Sequence, residues 1–360
     1  MLAGVLVLLG TAAAIGGGVV ATVTPVIPDG LPSAKSVVDI HTHVAGLGAG
    51  CAECFVADEL TASYKFGWYL GAFGTSAAEM QEHGDRVVVD RLVERIAASR
   101  WVKSAVLLAL DGVIDAHGEL DRVATQVYVP NDYVRDVAER HAEIHYGASI
   151  NPYRRDALER VDEAARDGAV LVKWIPAIMA IDPADPALDA FYARLIDLGL
   201  PLLVHVGDEN AFRHADNRLG DPRRLTRALD AGVTVIAAHV GTTGENGGES
   251  NFVRLLPMFA HYPNLYTEQS SLTQLNKLGY LRRALAHPGL TDRLLHGSDW
   301  PLQFFPIVHP YWHVGSAPLA ALRYATTLDN PFDRDIAIKA AIGVPPTVFA
   351  RTGELLRIEP

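Results

Sequence analysis

The chain has 360 residues, enough for one large domain with a full core. Its 49% hydrophobic and 20% charged residues, with glycine and proline spread along the length, exclude a disordered or fibrous protein. A net charge of -11 without any Lys/Arg cluster interleaved with aromatics excludes the electrostatic footprint of a nucleic-acid binder.

Residues 1–34 read as an apolar signal or anchor segment with a linker, and 35–360 as one folded domain. Met1 to Pro28 carry no charged side chain, and the run LAGVLVLLGTAAAIGGGVVATV is long enough to span a bilayer. No basic region precedes it and the first lysine, Lys35, lies beyond it, so orientation is not legible from charge. The leading expectation is a membrane anchor or uncleaved signal, hence a membrane-tethered or exported protein. A cleaved signal, or an upstream start that leaves the protein cytoplasmic, are the alternatives. The stretch Val26 to Ser33, which contains proline and glycine, reads as the linker.

Eight apolar, β-branched runs then recur with helical stretches between them. They are Ser36–His41, Val102–Leu110, Ile144–Ile150, Ala169–Ile175, Pro201–Val206, Val233–His239, Leu265–Gln269 and Arg293–Ser298. Amphipathic candidates for the intervening helices include Arg154–Asp167, Asp189–Leu198, Pro222–Ala231 and Gln274–Ala286. Eight strand–helix units, with no G-x-G-x-x-G after the first strand, favour a (β/α)₈ TIM barrel over an open doubly wound sheet.

The connection from His43 to a helix beginning near Asp85 is long for this fold. It holds Gly46, Gly48, Gly50 and then Tyr64, Phe66, Trp68, Tyr69 and Phe73. Two expectations stand: a lid or substrate wall over the barrel mouth, or an insertion packing its aromatics on the barrel exterior. Cys51 and Cys54 in the same stretch have C-x-x-C spacing but neither the second pair of a zinc ribbon nor a thioredoxin-like context. A disulfide in an exported protein and two ordinary thiols both remain open.

Polar residues interrupt the strands near their C-terminal ends. His41 and His43 are two apart in VVDIHTH and point to one side. Lys173 falls in AVLVKWIP, His205 in PLLVHVGD, His239 in VTVIAAHVG and Asp299 in LLHGSDWP. These are strands one, four, five, six and eight, and barrel enzymes place their sites at that end. Imidazole nitrogen and carboxylate oxygen are the borderline ligands suited to zinc and neighbouring divalent ions.

This ordered set resembles the amidohydrolase superfamily, in particular its amidohydrolase-2 branch of hydrolases and nonoxidative decarboxylases. The matching features are H-x-H at His41/His43, then His205, His239 and the GSDWP segment with Asp299, and more loosely the tail IGVPPTVFART at Ile342–Thr352. The resemblance implies one or two divalent ions, with His41, His43, His205 and Asp299 as ligands. It leaves His239 to bind a second ion or to hydrogen-bond the attacking water. Lys173, buried beside a cationic site, should lose its proton readily and take up CO₂. The resulting carbamate would bridge two ions, as the strand-four lysine does in many binuclear members; an unmodified amine is the alternative.

The expected activity is hydrolysis of a C–N or C–O bond in a small-molecule amide, cyclic amide, ester or lactone. Asp299 would act first as general base and then as general acid. Metal-assisted decarboxylation or hydration is the rival within the fold, and a non-catalytic membrane-tethered metal-binding domain the rival outside it. Asp39 shares strand parity with His41, which leaves a supporting role for a ligand or a structural hydrogen bond. His296 is expected to be structural, and His309 and His313 fall in the stretch after strand eight, where a substrate-contacting loop is one reading. Asp208, Glu209, Asn210, Thr242, Thr243 and Glu245 follow ligand strands and border the mouth.

Overall fold

The computed structural model describes residues 23–358. Eight parallel strands run in sequence order around one sheet: β1 (Val37–His43), β2 (Val102–Leu108), β3 (Ile144–Ala148), β4 (Leu171–Trp174), β5 (Leu202–Val204), β6 (Val235–Ala237), β7 (Leu265–Glu268) and β8 (Leu294–Leu295). The seam between β8 and β1 closes through a parallel bridge between Thr42 and Trp300. Asp299 N–H to His41 O (2.9 Å) and His43 N–H to Trp300 O (3.0 Å) flank it. The result is a (β/α)₈ barrel.

Alternation along the strands produces two apolar layers. Ile40, Val106, Leu108, Leu171, Leu203, Ile236 and Leu295 fill the barrel interior. The opposite faces, among them Val102, Leu107, Trp174 and Val204, pack outward against the helices. Helix Arg86–Ala98, for example, turns Val88, Val89, Leu92 and Ile96 onto the sheet and its charged residues outward.

Several expected helices are shorter than their sequence pattern. Asp189–Leu198 agrees with expectation, whereas Arg154–Asp167 becomes Ala157–Arg166. Pro222–Ala231 divides into a 3-10 turn at Pro222–Leu225 and a helix at Thr226–Ala231. Gln274–Ala286 divides at Gly279, which adopts φ 83° between the 3-10 turn Leu275–Lys277 and the helix Tyr280–Leu285. The left-handed backbone there stops one helical segment and starts another. The closing helix begins at Pro346, after Gly343, and runs to Leu356.

The stretch after β1 is not an open loop. It folds into short helices Asp58–Thr61, Tyr64–Phe73 and Ala77–His83. Its base is gathered on the buried Asp85 carboxylate, which accepts N–H bonds from Leu47 (2.7 Å), Gly48 (3.1 Å) and Cys51 (3.3 Å). Cys51 and Cys54 are joined as a disulfide in this base. The aromatics divide between environments: Phe73 is buried, Tyr64 and Trp68 are 71% and 61% exposed, and Tyr69 is half-buried toward Glu209 and Asp299. The segment thus folds as short helices whose aromatics are partly buried and partly exposed.

The apolar run at the N-terminus lies outside the described residues, apart from its last residue. Among the described residues no helix is long and apolar enough to cross a membrane. The expected linker lies along the domain, with Val26 N–H bonded to Ala320 O (3.0 Å) and Leu31 packed on the core.

Candidate metal centre

The strand ends carry their polar residues to one point. His41 is buried, and its Nδ1 stands 3.1 Å from Glu268 Oε1, which turns Nε2 toward the barrel axis. Lys173 Nζ lies 3.2 Å from that Nε2, and Asp299 Oδ1 lies 3.7 Å from it. His43 Nε2 is 3.2 Å from the same Asp299 oxygen. Ligand atoms of His41, His43 and Asp299 all lie within 4.8 Å of one another. His239 stacks on His41 with ring centroids 5.1 Å apart, and His205 meets His239 edge-on at 4.9 Å. The structure thus brings together all six sequence-predicted residues, His41, His43, Lys173, His205, His239 and Asp299.

Backbone conformation explains how adjacent strands aim so many side chains inward. His239, Val240, Ser271 and Asp299 have φ of 57°, 51°, 61° and 67°. Left-handed conformations at residues other than glycine are costly and collect at functional sites. They turn β6, β7 and β8 abruptly where the site residues occur. Gly207, φ 100°, follows His205 so closely packed on the loop after β6 that a Cβ there would lie 2.7 Å from Thr243 O. Glycine is what lets these two strand ends approach.

Electrostatics favour the ligand forms of these groups. Burial, reinforced by Lys173 at His41 and His205 and by Lys277 at His205 and His239, holds all three imidazoles well below their usual pKa and therefore neutral. Burial opposes ionisation of Asp299, but the His43 hydrogen bond and the facing imidazoles outweigh it and hold the carboxyl well below the usual range. Burial pulls Lys173 down from 10.5 to about 8, against the opposing pull of Glu268, Asp299 and Glu209. Among the described residues His205 Nε2 is a buried nitrogen without a hydrogen-bond partner. An orphaned imidazole nitrogen among neutral histidines and an ionised aspartate is the donor set a divalent ion requires.

Glu268 is the residue that sequence reasoning missed. Its Oε1 accepts from His239 N–H (2.9 Å) and Ser270 Oγ–H (2.8 Å) besides facing His41, and its Oε2 accepts from Ser270 N–H (2.5 Å). A carboxylate so fully engaged positions histidines rather than offering itself to an ion, although it also lies within 4.8 Å of His41 and His239 ligand atoms. The signal was present, because LYTEQ carries a lone carboxylate at the end of strand seven.

Asp39 differs from its parity. A register shift in β1 between Asp39 and Thr42 breaks the alternation. Ile40 joins the interior cluster, and Asp39 Oδ1 accepts the N–H groups of His41 (3.0 Å) and Ser298 (2.9 Å). It supports the backbone on either side of the seam and no ligand ring. Buried Lys339 braces the same region through Gly297 O (2.7 Å) and Asp335. His296 is fully buried against Phe349 and Gln269, as its expected structural role requires. Of the expected loop histidines, His313 is tied to Thr273 O (3.0 Å) and His309 caps Tyr311. Among the mouth-bordering residues, Glu209 lies 3.7 Å from His205 Nδ1 and the Thr242 hydroxyl donates to His239 O (2.8 Å).

A family model described as Amidohydrolase matches residues 38–334. The chain belongs to this family. The matched range includes all six residues of the cluster. No curated protein matches. Among solved structures, an uncharacterised TIM-barrel protein from Bordetella bronchiseptica is similar, with 20% identity, 89% of this chain and 98% of that chain covered, and TM-score 0.56. The apo IDCase of Metarhizium anisopliae is 14% identical over 90% of this chain and 98% of its own, with TM-score 0.50. A 5-carboxyvanillate decarboxylase from Novosphingobium aromaticivorans with bound manganese is 12% identical over 91% and 100%, with TM-score 0.48. At these identities the first two likenesses show the shared barrel fold.

Proposed function

We propose that the chain is a metal-dependent hydrolase that cleaves a C–N or C–O bond of a small molecule, an amide, cyclic amide, ester or lactone. The observation that carries this reading is the place of Lys173, whose Nζ is buried 3.2 Å from the inward nitrogen of His41. An ammonium there would repel an ion. A carbamate, formed as the neutral amine takes up CO₂, would add an anionic ligand between the His41/His43/Asp299 group and the His205/His239 pair.

When bound, divalent metal, with zinc the preferred ion, lowers the pKa of a water and polarises the scissile carbonyl. The chain's own residues do the rest. Asp299, ionised and held by His43 and Ser271, accepts the proton of the attacking water at its carboxylate and returns it to the leaving nitrogen or oxygen. Glu268 fixes the orientation of His41 and, through Ser270, of His239. His239 joins the second ligand group or donates to the water.

The test combines metal stoichiometry, electron density beyond Lys173 Nζ, and activity on amides, lactones and aromatic acids before and after chelation. Two ions per chain, extra density on Nζ and chelator-sensitive hydrolysis are expected. One ion with a bare Nζ and turnover of aromatic acids alone would instead establish decarboxylation. That rival is favoured by the same short Lys173–His41 contact if the amine stays unmodified. The membrane tether proposed for residues 1–34 is tested separately, by partition of the full chain with membranes.

A further inference from the structure

Helix Pro331–Ile342 buries two charged side chains that neither the ligand set nor the proton path uses. Asp335 and Lys339, one turn apart, are 1% and 0% exposed, and Lys339 Nζ stands 2.5 Å from Asp335 Oδ2. Both lie beyond the range that the family model matches, which ends at residue 334.

Each member of the pair reaches one of the two turns that hold Asp299. Lys339 Nζ donates to Gly297 O (2.7 Å), in the segment after β8 and two residues before Asp299. Asp335 Oδ1 accepts the Thr273 hydroxyl (2.7 Å), in the turn after β7. Two residues earlier in that turn, the Ser271 hydroxyl donates to Asp299 Oδ2, and Ser271 N–H bonds Ser298 O (3.4 Å). A ring results: Asp299 to Ser271, along the chain to Thr273, to Asp335, Lys339 and Gly297, and along the chain back to Asp299. Ser271 and Asp299 have left-handed backbone, φ 61° and 67°, so backbone preference alone does not hold either turn in shape.

Stability does not account for the pair. Burial pushes the Asp335 carboxyl up, with Lys339 and Thr273 opposing, so these charges are desolvated at a cost that their attraction must repay. Apolar side chains of similar volume are often as stable in such a place.

We propose that Asp335 and Lys339 are positioning residues for Asp299, holding its carboxylate in the orientation that the metal centre requires. This rests on the metal-centred reading above.

The test reads binding of Co²⁺ alone, by chelator competition and by its visible absorption, beside urea unfolding of the metal-free protein. Asp335→Leu with Lys339→Met should unfold at or above the wild-type midpoint, yet bind Co²⁺ about tenfold or more weakly and with altered visible bands. Thr273→Val opens the ring with both charges in place, and should weaken Co²⁺ binding by about three- to tenfold, the worth of one hydrogen bond. Thr273→Ser keeps the hydroxyl and should match wild type. These two variants decide the matter if the paired replacement does not fold. Ser271→Ala opens the ring at the carboxylate, so adding Thr273→Val to it should cost less than about twofold further. Co²⁺ binding within about twofold of wild type in Thr273→Val, the same in the paired replacement whatever its midpoint, or full additivity of Ser271→Ala and Thr273→Val would each overturn the proposal. Wild-type protein that takes up none of Co²⁺, Mn²⁺ and Zn²⁺ would remove the metal reading itself, and this proposal with it.

Discussion

At the scale of single residues, the site divides between groups that meet the reaction and groups that hold them. On the proposed reading Asp299 is of the first kind. Asp299→Asn preserves the shape and one acceptor oxygen, so metal content should stay near that of wild type while turnover falls by about 10²–10⁴-fold. Elemental analysis beside steady-state rates checks this, and near-wild-type turnover would remove Asp299 from the proton path. Glu268 belongs to the second kind. In Glu268→Gln an NH₂ takes the place of one oxygen and opposes an N–H or O–H donor, so the His41 ring loses its fixed orientation. Metal affinity should drop about 10–100-fold in chelator competition. The six clustered residues were legible in sequence because imidazole, amine and carboxylate stand out against apolar strands. Glu268 follows the same rule yet passed unnoticed among polar neighbours.

At the scale of elements, the β1 bulge is the feature with most consequence. It separates Asp39 from the fate of His41 and gives the seam between β8 and β1 a buried acceptor. Burial raises the Asp39 carboxyl to about 7, even though its hydrogen bonds with Ser298 and the backbone favour the ionised form. The accepting oxygen therefore matters more than the charge. Asp39→Ala should cost about 2–4 kcal/mol, because two backbone N–H groups lose their acceptor in the interior. Asp39→Asn should retain most of the stability. Urea unfolding compares them, and equal losses would show that charge is the source. A register shift leaves no trace in strict alternation of residue types, which is why parity left both a ligand-supporting role and a structural hydrogen bond open for this residue, of which the structure shows the second. The short helices between β1 and Arg86–Ala98 escaped notice for a related reason: their glycines and exposed aromatics resemble loop composition.

At the scale of the whole molecule, barrel closure buries a lysine beside His41 and the ionised Asp299. Lys173 has a folded pKa near 8 against 10.5 for the free side chain. Between those values the unfolded chain holds a proton that the folded metal-free chain lacks. Stability from this group therefore rises with pH through the window and is lowest below about 8. Lys173→Met should lack that rise, so the difference between the two proteins' unfolding midpoints should change across the window. Parallel curves would mean that Lys173 is not the buried cation described.

The amino-acid sequence by itself determined the barrel and the chemistry at its strand ends, because both follow from local regularities: alternating apolar runs, helical periodicity and polar interruptions at equivalent positions. Tertiary structure alone decided which acid orients the histidines, which way Asp39 turns, and that Cys51 and Cys54 pair. Those outcomes depend on register shifts, left-handed residues and contacts between loops far apart in the chain. Burial and distance arise only when the sheet closes.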